Sequence, residues 1–129
     1  MPDSRAAAAE CSPEDAEAAD VAVDHLITWQ AVSDYFTHYR QCDDGAIAEG
    51  SSEAVIRLLA DKWEALPELE RIIAKNPLLK NWMLSHINTT LDTDDLFNVE
   101  KLAISQCPSS GKSLCNEIAA SAHKAATSN

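Results

Sequence analysis

The chain reads as an all-α, single-domain bundle of five or six helices. Three observations predict it. Apolar residues recur every three or four positions, with no alternating strand pattern. Glycine occurs only three times, and alanine is abundant. Helix-start signals precede the apolar stripes: Ser12-Pro13-Glu14-Asp15, Asn76-Pro77 and Asp92-Thr93-Asp94-Asp95. At 129 residues the chain is long enough to bury one core. The expected division is a flexible acidic segment at 1–12 and a helical domain at 13–126.

Each element follows from its residues. Ser12 caps the first helix, Pro13 suits its first turn, and Glu14 and Asp15 face the positive end of its dipole. Beyond them, Ala22, Leu26, Trp29, Val32, Phe36 and Tyr39 form one stripe ending near Arg40. Asp43 or Asp44 caps the next helix. It carries Ile47, Gly50, Ala54, Leu58 and Ala65 near one face, flanked by Val55, Leu59 and Trp63. Gly50 inside this pattern costs up to about 1 kcal/mol relative to Ala, so a close neighbouring helix is the expected compensation. Pro67 ends that helix and opens a short one bearing Leu69, Ile72 and Ile73. Asn76-Pro77 starts a helix with Leu79, Trp82, Met83, His86 and Ile87 on one face, and Asn88-Thr89-Thr90 breaks it. Asp92 starts another, with Leu96, Val99, Leu102 and Ala103. The last carries Leu114, Ile118, Ala122 and Ala125. Trp29, Trp63 and Trp82 all fall on apolar faces, where core packing is expected.

Four cysteines leave none over if all are oxidised, which suits an oxidising compartment. Cys107 and Cys115 bracket a short polar loop that is easily closed. A continuous helix from 13 to 40 would span about 40 Å and hold Cys11 and Cys42 far apart. Either the helix breaks near Val23-Asp24, with Asp24 capping a new helix, or Cys11 does not pair with Cys42; the break is the expectation. Met1-Pro2-Asp3-Ser4-Arg5 has no apolar stretch behind it, whereas Ala6-Ala7-Ala8-Ala9 resembles the surroundings of a processing site. A trimmed leader would mean the periplasm; otherwise the expectation is cytoplasmic.

Net charge is −11, and −6 of it lies in residues 1–24, where seven acids stand against Arg5 alone. A charge run of this kind is read first as a solvated, frayed face. An acidic surface repels nucleic acid and anionic lipid and favours a basic protein partner. No apolar run reaches the roughly 20 residues of a membrane helix, so no membrane insertion is expected.

The chemical motifs dissolve on inspection. Gly111-Lys112-Ser113 lacks the phosphate loop's earlier glycine, position 106 being Gln, and no strand feeds it. Calcium loops counted from Asp92 or Asp43 put Phe97 or Ala48 where glycine is required, and Ala103 or Ala54 where glutamate is. His38 and Cys42 share a helix face, but no further zinc ligand or orienting third group stands beside them. No enzyme, cofactor or metal is expected. What remains is the corner Asp43, Asp44, Glu49 and Glu53, with Tyr35 and Tyr39 as candidate exposed contacts. The acids are either helix caps or a recognition patch for a basic partner, and Gly45 allows close backbone approach.

The runs Tyr35-Phe36, Tyr39, Cys42-Asp43-Asp44-Gly45, Ile47-Ala48-Glu49-Gly50, Leu58-Leu59-Ala60, Trp63 and His86-Ile87 resemble small helical bacterial proteins of no assigned activity. Some of these look like immunity proteins against type VI secretion toxins, notably cell-wall amidase effectors. The resemblance covers roughly residues 33–118. It implies a small, helical, periplasmic, disulfide-bearing inhibitor that occludes a toxin's active site. The departure is the absence of a visible signal peptide. The expected partner is thus a basic toxin, with a homodimer allowed. The alternative is a structural or small-molecule-binding helical domain of the bacterial envelope.

Overall fold

The structure, a computed structural model, describes residues 10–128. It is all-α and contains seven α-helices among the described residues: α1 (Pro13–Val23), α2 (Trp29–Tyr39), α3 (Gly45–Asp61), α4 (Leu66–Lys75), α5 (Leu78–Ser85), α6 (Thr93–Ser105) and α7 (Lys112–Thr127). The count exceeds the expected five or six because the stripe from Ala22 to Tyr39 belongs to two helices. Short 3₁₀ turns at Arg40–Cys42, Trp63–Ala65 and Ser109–Gly111 join neighbours. Residues 1–9 of the expected flexible segment lie outside the described residues. Its end does not hang free, since Cys11 lies at disulfide distance from Cys42.

The caps follow the sequence closely. Ser12 Oγ accepts from the Asp15 amide at 3.0 Å, and Asp92 accepts from Asp94 and Asp95. The break falls where the cysteines demand it, but Asp24 closes α1 rather than opening α2. Thr28 is the new N-cap, its Oγ1 accepting from the Ala31 amide at 3.0 Å. The chain reverses, α1 and α2 form a hairpin, and the Cys11 and Cys42 Cα atoms come to 5.0 Å. Cys107 and Cys115 form the second pair, 6.1 Å apart at Cα. Both pairs are compatible with an oxidising compartment.

α3 ends at Asp61, short of the expected Pro67. Trp63 and Ala65 lie in a separate 3₁₀ turn, and the Trp63 indole N–H donates to the Gln106 carbonyl at 2.9 Å. That bond ties the α3–α4 junction to the end of α6 and satisfies a half-polar ring in the core. The core is continuous. Trp29, Ile56, Leu59, Leu66, Leu69, Leu79, Met83, Leu96 and Ile118 are its largest fully buried side chains. α6 and α7 pack most extensively, α3 lies between α1 and α6, and α2 meets α4.

Two glycines mark close approaches. A Cβ on Gly50 would lie 3.2 Å from Val23 Cγ1, so the end of α1 packs directly on the backbone of α3. Gly111 holds the Glu70 carboxylate against its α-carbon, at the N-terminus of α7. Glu70 also accepts from Ser110 Oγ at 2.9 Å. The anion beside Gly111-Lys112-Ser113 is therefore the protein's own carboxylate. No helix of the described residues is long and apolar enough to cross a membrane.

Candidate functional site

The α2–α3 corner is built around one carboxylate. Asp43 follows the 3₁₀ turn that ends α2 and precedes the N-cap of α3. Asp44 takes the capping role, accepting from the Gly45 amide at 2.9 Å. Gly45 has φ +55, the left-handed region that suits glycine. Asp43 is thereby free to turn inward, and its side chain is only 5% exposed.

Three elements supply its partners. From α2, the Tyr35 hydroxyl donates to Asp43 Oδ1 at 2.7 Å. From α3, Ser51 Oγ approaches the same oxygen at 2.6 Å, and also lies 3.0 Å from the Ala48 carbonyl. From the end of α5, His86 Nε2 lies 2.6 Å from Asp43 Oδ2. The other ring nitrogen, Nδ1, is 2.6 Å from Ser52 Oγ. Asn88 Nδ2 donates to that same hydroxyl at 3.3 Å. Trp82, one turn before His86, tilts against the imidazole with ring centroids 4.3 Å apart. With the Nε2 proton given to Asp43, Nδ1 accepts from Ser52, and every polar group in the hub has a partner.

The electrostatics follow. Burial opposes the Asp43 charge, but hydrogen bonds from His86, Ser51 and Tyr35 outweigh it and hold the carboxyl below its ordinary range. Burial, then the hydrogen bond to Asp43 and its charge, push the Tyr35 phenol far upward.

Ser52, His86 and Asp43 stand in the order of a nucleophile, a base and an orienting acid. Ser52 is 2% exposed and His86 6%. A substrate reaches that hydroxyl only if α3 and α5 separate.

The predicted corner thus divides. Asp43 and Tyr35 are not exposed contacts; the hub buries both, because an interior histidine and two interior hydroxyls need a charged acceptor. Asp44 and Glu49 are exposed. Glu53 is exposed and pairs with Arg57 at 3.1 Å. Tyr39 is half-buried, its ring 6.0 Å from that of Tyr35. Cys42 is paired with Cys11, while His38 is exposed and donates from Nδ1 to the Asp34 carbonyl at 2.8 Å. Asp95 binds Arg57 at 2.5 Å, so Asp92 and Asp95 have capping and pairing roles.

His86, Ser51, Ser52 and Asn88 were not among the predicted site residues. The available signal was chemical: His86 sits on the apolar face of α5, and Ser51-Ser52 interrupt the buried flank of α3. Polar side chains on interior faces require partners. Compared with protein-family models, curated proteins and solved structures, the chain has no match.

Proposed function

We propose that the protein is a non-enzymatic inhibitor of the immunity type, which binds a basic secreted toxin in the periplasm and covers its active cleft. One observation supports this best. The Asp43 hub and the Cys11–Cys42 pair fix a corner from which Asp44, Glu49 and Glu53 stand exposed between the N-cap and the middle of α3. A preorganised patch loses little entropy on binding. The net charge of −11 would speed encounter with a basic partner.

The test is a binding titration against the product of the adjacent gene. The affinity should fall by about tenfold or more between about 20 mM and about 300 mM salt. Replacing Glu49 with lysine and Asp44 with asparagine, which removes the charge but keeps the helix cap, should weaken binding by a similar factor, since both side chains are exposed. Absence of binding at low salt would sink the proposal.

The order Ser52–His86–Asp43 favours one other reading, a hydrolase whose serine is uncovered by movement of α5. A fluorophosphonate probe distinguishes the two. Labelling at Ser52, lost in Ser52→Ala, would replace the inhibitor reading; an unlabelled protein supports it.

A further inference from the structure

Away from the hub, a groove of about 360 Å³ runs between the α1–α2 turn and the outer face of α3. Its floor is apolar: Val23 and Leu26 from one side, Ala54 and Leu58 from the other, with Gly50 between them. Gly50 matters because any side chain there would meet Val23 and fill the floor. Ile27 stands at the lip, 67% exposed, and the Lys62 ammonium donates to its carbonyl at 3.2 Å.

The rim is acidic. Asp24, Glu53 and Asp61 line it. The Arg57 guanidinium also lies there, but Glu53, Asp61 and Asp95 all bind it, at 3.1, 3.0 and 2.5 Å. Lys62 is the second cation of the lining, so three lining carboxylates stand against two cations and leave a surplus of one negative charge. The Asp24 carboxylate forms no ion pair among the described residues. An apolar floor with surplus negative charge at its edge selects an apolar side chain flanked by cations.

We infer that this groove is a docking site for an apolar side chain carried on a basic segment of a partner protein. The inference rests on the inhibitor reading for its biological partner, and it adds a place for the anchor. Glu53 belongs to both the groove rim and the corner patch, so the two form one continuous surface along α3. The charged patch then governs encounter, and the groove governs residence.

A short synthetic helical peptide of leucine and lysine serves as the probe, followed by amide chemical shifts of the isotope-labelled protein. The shifts should cluster at residues 23–27 and 50–62. Ile27→Ser and Asp24→Lys should each weaken binding by about threefold to tenfold. Both positions are exposed, so circular dichroism should confirm an unchanged fold. Three results would overturn the inference. A lysine–serine peptide would bind as tightly as the leucine–lysine one. The shifts would fall on Asp44 and Glu49 instead. An apolar dye would fill the groove without being displaced by the peptide, marking a small-molecule pocket. Failure of the toxin titration removes the inhibitor reading but leaves the peptide map standing. Toxin binding that is indifferent to Ile27→Ser and Asp24→Lys removes the groove alone.

Discussion

Asp43 carries the largest single-residue consequence. Its carboxyl titrates below the ordinary value of 3.8 because three donors, one from an imidazole, outweigh its burial. A depressed carboxyl contributes stability that is complete above the unfolded value and is lost as pH falls through the folded one. Urea unfolding of the native chain should therefore weaken steeply below about pH 4. Asp43→Asn should flatten that limb. At pH 7 the same variant should be less stable by about 1–3 kcal/mol, because the carboxamide keeps one acceptor oxygen but sets a donor where Asp43 offers a second acceptor. A variant as stable as the native chain at pH 7 would show that the hub contributes nothing net. Asp43 was visible in the sequence as a helix-start acid, but its direction was not. Asp43 and Asp44 are adjacent and both able to cap, and the histidine that decides between them lies 43 residues away. Local periodicity carries no information about such a pairing.

At the scale of elements, the α1–α3 contact is set by the absence of a side chain. Alanine at position 50 gains up to about 1 kcal/mol of helix propensity. It also brings a Cβ within 3.2 Å of Val23, a branched residue at the last position of α1. The two effects oppose, so Gly50→Ala should lie within about 1 kcal/mol of the native chain. Gly50→Leu should cost about 2–3 kcal/mol by overpacking. Combining Gly50→Ala with Val23→Ala should be more stable than the two single changes predict, because the shortened valine removes the clash. Additive urea midpoints would show that the helices separate freely. The close approach was legible, since an interior glycine needs a reason. So were the caps at Ser12 and Asp92, which depend on residues two or three positions away. The split of the long stripe was legible only through Cys11 and Cys42. No glycine or proline stands between Val23 and Trp29, and Thr28 is an unobtrusive cap.

For the whole molecule, the two bridges differ in what they constrain. Cys11–Cys42 spans 31 positions and Cys107–Cys115 only 8. The chain-entropy model gives about 3.7 kcal/mol for the first and about 2.6 for the second. Replacing each pair with serine should show that order in urea unfolding, with the first pair costing about 1 kcal/mol more. Equal losses would mean that the unfolded chain already holds residues 11 and 42 close together. The all-α class was legible throughout, because every helix presents an apolar stripe to one core. The docking face was not. The groove is made by the turn at residues 24–28 meeting α3; of its acids, Asp24 falls in a run that reads as solvated charge, Glu53 reads only as part of the corner patch, and Asp61 carries no signal of its own. The Cys11–Cys42 link also makes the first hairpin a closed ring. Asp24, His25, Ile27 and Thr28 in its turn are exposed, the natural place for a protease to cut. A cut there leaves one particle, since sulfur still joins the two pieces and α3 still holds both. The clipped protein should run as a single species until a reductant is added, and then release its N-terminal piece. The first hairpin can thus lose a peptide bond without losing the molecule.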